Sequence, residues 1–461
     1  MTVGPVSQPP ALRALTLEEK DKKYLWHPFT QMKDWEADDI LVIESGEGCY
    51  LKDTHGRRYL DGVSSLWCNV HGHRVAELDQ AVRSQLDKIA HTTFLGLSSV
   101  PAVELAEKLI ALSPPGLARV FYSDSGSEAV EIALKIAFQY WSHSGRPEKK
   151  EFVRLTHAYH GDTLGAVSVG GIDLFHQIFG PLLFKTHAAP APYVYRWPRG
   201  GSREAVRDAA LAALEAVFKE HQSRIAAFVM EPLMQGAAGM IDQPAGYIRR
   251  VRELTRQYGI LLIFDEVATG FGRTGRMFAC EHENVAPDIL TAAKGLTGGY
   301  LPLAATLVTE EIYRAFLGST AELKTFFHGH TYTANPLACS AALANLDFFQ
   351  SRGVLEALVP KMALLEKRLE SFHALRHAGD IRRVGFMTGI ELVRDKQTRQ
   401  EYTPEEKIGI RVIRRAREKG AVLRPLGSVI VLMPPLGISA TELETLLDIT
   451  YTSIQEVTEA P

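Results

Sequence analysis

From about residue 100 the chain alternates between two apolar rhythms. Short runs of consecutive apolar residues at 119–122, 226–230, 260–264 and 289–292 predict buried strands. Amphipathic stretches predict helices over 101–112, 127–141, 203–219 and 244–258. In 127–141 the stripe is Ala129, Ala133, Ile136 and Tyr140, at i, i+4, i+7 and i+11. Pro101 stands at a first-turn position of the helix before it. Apolar strands separated by such helices imply an α/β fold with a mostly parallel sheet covered on both faces.

The two ends have a different texture. Residues 1–20 read as a polar, proline-containing arm. Residues 40–60 hold short apolar runs broken by Gly and Asp, which predict two or three strands with turns at 46–48 and 54–56. After about 345 the pattern restarts: a helix near 354–371, a strand at 385–393, a helix near 404–419, and strands at 421–426 and 429–435. This predicts a smaller α+β domain over 346–461. A large domain over 76–345 and an N-terminal segment over 1–75, packed with the small domain, complete the expected division.

Composition narrows the function classes. At 461 residues the chain is too long for one ordinary core. With 46% hydrophobic and 23% charged residues it is not a disordered chain. Net charge is −3 and the basic residues are dispersed, which leaves no nucleic-acid footprint. The densest basic stretch, 411–419, reads as the wet face of a helix. The four cysteines form no C-x-x-C pair, which implies reduced thiols and a cytoplasmic setting. The first residues hold no signal-like apolar region, and no apolar run reaches the ~18 residues of a membrane span.

Four features carry chemistry. Asp265 directly follows an apolar strand, where ligand sites of parallel sheets lie. Lys294 follows the next one, beside Gly295, Gly298 and Gly299. Burial there lowers a lysine's pKa and makes the amine nucleophilic. The helix start at Asp124, Ser125, Gly126 and Ser127 supplies free N–H groups, hydroxyls and a positive dipole end, suited to a phosphate. Tyr159, in the run Tyr159-His160-Gly161-Asp162, offers a ring for stacking. Together they match the holder of pyridoxal phosphate: a Schiff-base lysine, an acid that keeps the pyridine nitrogen protonated, and a phosphate cradle. A carboxylate ~4 Å from a pyridinium is worth roughly 4 kcal/mol at an effective dielectric of 20.

Two other motifs point elsewhere. Gly270, Gly272 and Gly275 fit a dinucleotide fingerprint, but the run RMFACEHEN beyond them is a poor helix start. His71 and His73, like His328 and His330, lack the spacing of a metal site, so no metal is expected.

The run Asp265-Glu266-Val267-Ala268-Thr269-Gly270-Phe271-Gly272-Arg273-Thr274-Gly275, with Lys294-Gly295 after it, resembles the class III aminotransferases. Within that class the chain is similar to the 7,8-diaminononanoate synthases of biotin biosynthesis. Its Trp26-His27-Pro28-Phe29-Thr30, Asp61-Gly62-Val63-Ser64-Ser65-Leu66-Trp67, Phe278-Ala279-Cys280-Glu281-His282 and Arg424-Pro425-Leu426-Gly427 carry the likeness. The resemblance implies fold type I, pyridoxal phosphate, small-molecule substrates and a homodimer with shared active sites. It implies Lys294 as the Schiff-base lysine and Asp265 as the pyridine partner. Ser125, Gly126 and Ser127 would hold the phosphate, with Tyr159 stacked on the ring and His160 beside it. Gly329, His330 and Thr331 would reach the site of the partner subunit. Arg424 would bind the carboxylate of 8-amino-7-oxononanoate, and Trp67 and Arg273 would line the substrate channel.

Many members of the family have Tyr at Phe29, Trp at Leu66 and Pro at His330, all near the donor pocket. The donor is therefore S-adenosylmethionine or L-lysine. The alternatives are a generic ω-amine or diamine transaminase, a decarboxylase of the same fold, and a nucleotide-binding module on 270–275.

Overall fold

A computed structural model describes residues 14–459. Most of the arm expected over 1–20 lies outside the described residues. Thr16 opens the first helix, Leu17–Tyr24, with a capping box closed by Glu19.

The N-terminal strands are β1 (Ile43–Glu47), β2 (Tyr50–Asp53) and β3 (Arg58–Asp61), joined antiparallel. The central strands are β4 (Leu117–Ser123), β5 (Glu151–Leu155), β6 (Thr186–Ala189), β7 (Ile225–Met230), a short ribbon of β8 (Met234–Gln235) and β9 (Ile241–Asp242), β10 (Leu261–Asp265), β11 (Ile289–Ala292) and β12 (Ala304–Thr309). Seven of them form one sheet in the order β4-β12-β11-β10-β7-β5-β6. Only β12 runs against the rest. Every residue of β7, β10 and β11 is buried, as strands covered on both faces require. Leu262 and Phe264 join the core on one face, Leu261 and Ile263 the core on the other.

The C-terminal part adds β13 (Ala378–Val384), β14 (Met387–Leu392), β15 (Ala421–Val422), β16 (Arg424–Leu426) and β17 (Val429–Leu432). Four of these make a sheet in the order β13-β14-β17-β16, while β15 leaves them to pair parallel with β3. The basic 411–419 stretch lies on the helix Ile408–Glu418 and its end, where Arg414 meets Asp38 at 2.7 Å and Lys419 meets Glu456 at 3.0 Å.

Several central elements carried no sequence expectation, β5, β6, β12 and the helix Pro336–Ser351 among them. β6 is four residues long and partly polar. β12 comes after Gly298 and Gly299, both at positive φ, which turn the chain back against its neighbours. The helix Pro336–Ser351 was missed because it is apolar on most sides and shows no stripe.

Arg382 ties the C-terminal sheet to the turn of the β8–β9 ribbon. It donates to the carbonyls of Gly239 (2.7 Å) and Met240 (2.9 Å) and pairs with Asp380 (2.7 Å) and Glu391 (2.5 Å), almost fully buried. Removing Arg382 strips Asp380 of its pair and leaves Glu391 with Arg196 alone, a loss of at most about 3–5 kcal/mol. Arg382→Leu is expected to lower the unfolding free energy by up to that amount, read from the urea midpoint.

Candidate active site

The carboxyl ends of β4, β5, β7, β10 and β11 point the same way, and the loops leaving them wall a cavity of about 820 Å³. Asp265 is the last residue of β10. Its Oδ2 lies 2.7 Å from His160 Nδ1, and its Oδ1 accepts from Val267 N (3.0 Å) and Thr291 Oγ1 (3.2 Å). Thr291 is its register partner on β11. The buried carboxylate is thus held by neutral donors and a histidine, with no Lys or Arg ion pair among the described residues.

Lys294 enters from the adjacent strand, with its backbone at φ +46. Its Nζ lies 5.4 Å from the centre of the Trp67 ring. Burial holds its pKa below the ordinary value, against the opposing pull of Asp265 and Glu231. The amine is thereby easier to make neutral.

The phosphate-type cradle is the start of the helix Gly126–His143. Ser125 caps it, and Glu128 closes the box by accepting from Asp124 N (2.8 Å) and Ser125 N (3.0 Å). Gly126 and Ser127 remain as first-turn donors at the cavity wall, with the Ser125 and Ser127 hydroxyls 3.2 Å apart. Bare backbone is needed on both sides. A Cβ on Gly126 would lie 2.7 Å from Val267, and one on Gly161, at φ +116, 2.2 Å from the Ser127 Cβ.

Tyr159 and His160 come from the loop after β5, and the Tyr159 hydroxyl donates to Asp162 (2.7 Å). The Nε2 of His160 and the Nε1 of Trp67 are buried with no partner among the described residues. A cavity with an anion cradle, a buried acid, an amine and orphaned donor groups fits pyridoxal phosphate.

Nine expected residues therefore meet in one cavity: Leu66, Trp67, Ser125, Gly126, Ser127, Tyr159, His160, Asp265 and Lys294. Others lie elsewhere. Phe29 is 58% exposed and reaches the site only through Phe175, edge-on at 5.2 Å, which in turn meets Tyr159. Arg424 is half-buried beside Tyr159, with no carboxylate of the described chain acting on it. Gly329, His330 and Thr331 lie outside the cavity wall, with His330 3.8 Å from Glu128.

The expectation that Arg273 lines a substrate channel is corrected. It is 1% exposed and donates to the carbonyls of Pro434 (2.9 Å), Asn69 (2.9 Å) and Trp67 (3.4 Å). Burial presses its pKa down to about 10, still cationic at neutral pH. The glycines of 270–275 form a packed turn with no helix opening, which leaves no dinucleotide site there.

Among the cavity residues with no expected role, one is a buried acid. Glu231, directly after β7, is buried and accepts from Tyr159 N (3.1 Å) and Gly236 N (2.8 Å). Burial raises its pKa to about 7, with Asp265 adding to the rise and His160 opposing it. Its place after an apolar strand, like that of Asp265, was the available signal.

Residues 32–454 match the family described as Aminotransferase class-III. The chain belongs to the class III aminotransferases. Members of this family depend on pyridoxal phosphate. A relative from Anoxybacillus flavithermus, named adenosylmethionine-8-amino-7-oxononanoate aminotransferase, is 56% identical over 96% of this chain and 97% of its own. The solved structure of the enzyme of that name from Methanocaldococcus jannaschii is 47% identical, with a TM-score of 0.91 over 95% of this chain and 98% of that one. An omega transaminase from Pseudomonas jessenii, solved in complex with PMP, is 31% identical, with a TM-score of 0.93 over 96% of this chain and 99% of that one.

Gly161→Ala forces a Cβ into Ser127 at a backbone angle that alanine resists. The cradle must shift, and pyridoxal phosphate affinity is expected to fall at least about tenfold, the equivalent of ~1.4 kcal/mol, in an absorbance titration.

Proposed function

We propose that this aminotransferase moves an amino group onto the 7-keto carbon of 8-amino-7-oxononanoate, giving 7,8-diaminononanoate for biotin biosynthesis. The observation that carries the reading is 56% identity, over nearly the full length of both chains, to a relative named for that substrate. The WHPFT and RPLG segments agree with it. We assign the donor as S-adenosylmethionine, the compound in the relatives' names. L-lysine is the second reading, favoured by Phe29, Leu66 and His330. Leu66 is 49% exposed at the cavity, where it leaves more room than an indole would.

Pyridoxal phosphate, when bound, supplies an aldehyde to carry the amine and a ring to take up the electrons of a broken C–H bond. The chain does the rest. Ser125, Gly126 and Ser127 hold the phosphate through hydroxyls, N–H groups and the helix dipole. Asp265 would keep a proton on the pyridine nitrogen, with His160 orienting that carboxylate. Tyr159 would stack on the ring. Lys294 would hold the cofactor until the donor amine displaces it, and its freed amine would then carry the proton lost by the substrate carbon. Arg424 receives the substrate carboxylate, its guanidinium having none of its own. We also propose a homodimer in the cytoplasm, in which Gly329, His330 and Thr331 complete the partner's site. That segment is flanked by Phe327 and Tyr332, both exposed in one chain.

Asp265→Asn keeps the shape and removes the charge. Activity is expected to fall about a thousandfold, the equivalent of ~4 kcal/mol, with the melting temperature within a few degrees of wild type. Lys294 must be neutral to accept a proton, and burial lowers its pKa from the ordinary 10.5. The rate of the donor half-reaction is therefore expected to rise with pH along a limb centred below 10.5, and to collapse in Lys294→Ala. In single-turnover absorbance measurements S-adenosylmethionine should bleach the cofactor band and 8-amino-7-oxononanoate restore it. Bleaching by lysine alone selects the second donor, and no band with either rejects the reading.

A further inference from the structure

The segment between β3 and Asn69 has a backbone that side chains resist. Ser64, Ser65 and Trp67 all sit at positive φ (51°, 60° and 65°), and Ser65 combines its value with ψ −99°. None of the three is glycine. Such a backbone persists only where its surroundings over-determine it.

The surroundings that do so are visible. Asp61 ends β3 and is 1% exposed. Both of its oxygens accept from Ser65 N (3.0 and 2.9 Å), Oδ1 also accepts from Val63 N (3.3 Å), and Oδ2 lies 3.1 Å from His73 Nε2. No Lys or Arg pairs with it among the described residues. The Ser64 hydroxyl donates to Met433 O (2.7 Å). Arg273 takes the carbonyls of Trp67 and Asn69 from the other side. The outcome is a fixed indole. Trp67 is buried in the cavity wall below Lys294 and packs on bare Gly236, where a Cβ would lie 3.2 Å from the ring.

We propose that Asp61 is a positioning residue of the active site: its carboxylate holds the strained 63–67 turn and so sets the Trp67 wall against which substrate lies. This rests on the proposed function for the identity of the substrate, and on geometry alone for the holding. Asp61 touches no reacting atom. It acts through two backbone amides, so its loss should loosen substrate binding and leave the chemistry of Lys294 and Asp265 in place.

The test uses the full-length protein with pyridoxal phosphate. Hydrogen exchange of the 62–70 segment is followed in wild type and in Asp61→Asn, together with kcat and KM for 8-amino-7-oxononanoate. The Ser65 amide is expected to be protected in wild type and to exchange about tenfold faster or more in Asp61→Asn, as loss of a charge-assisted hydrogen bond implies. KM should rise about tenfold, with kcat within about threefold and an unchanged cofactor spectrum. In a Trp67→Ala background the Asp61→Asn substitution should add almost nothing to KM, because both changes remove the same wall. Free exchange at Ser65 in wild type overturns the proposal, whether or not the variant folds. So do an unchanged KM in Asp61→Asn and fully additive effects of the two substitutions. If exchange behaves as expected but 8-amino-7-oxononanoate is not turned over, the substrate reading fails and the holding role stands.

Discussion

An acid and an amine share one largely apolar-walled cavity here without neutralising each other. Asp265 and Lys294 leave adjacent parallel strands, yet no ion pair joins them within 4.0 Å among the described residues. Asp265 is turned toward His160, Thr291 and the Val267 amide, while Lys294 is turned toward Trp67. Every other feature of the site serves this separation. A direct pair would raise the lysine's pKa and occupy the carboxylate. Keeping them apart leaves the carboxylate free to meet a positive charge and the amine free to lose a proton.

The sheet makes the separation possible. Strands β7, β10 and β11 are buried along their whole length, so the residues at their ends pass from a covered core to the cavity wall. Asp265, Lys294 and Glu231 stand at three such ends. Burial acts on them with opposite sign, lowering the lysine and raising Glu231. The loops after β4 and β5 contribute the uncharged part of the same wall: hydroxyls, amides and a ring.

How legible this was in the sequence depended on range. Asp265 and Lys294 could be read because each comes just after a short apolar run, and the cradle because Ser-Gly-Ser opens an amphipathic helix. Those are local patterns. Arg273 was misread because its partners are carbonyls of Trp67, Asn69 and Pro434, residues far from it in sequence. The helix Pro336–Ser351 was missed because apolar residues on most of its sides hide the stripe on which such readings depend. Phe175 could not be found by pattern, since its relation to Phe29 and Tyr159 exists only in three dimensions.

The pairing of β15 with β3 has a consequence for how such an enzyme changes its tastes. Leu60 faces Ala421 and Asp61 faces Val422 across a parallel ladder, with Trp67 a few residues beyond one strand and Arg424 directly beyond the other. The two ends of the chain are thus laced into a single ruler, with the indole at one mark and the guanidinium at another. The ladder fixes where each strand ends, and the turn held by the Asp61 carboxylate carries the indole from there. A lineage adapting to a longer or shorter carboxylic acid could not slide one mark past the other. It would have to repaint them, exchanging the side chains at fixed stations.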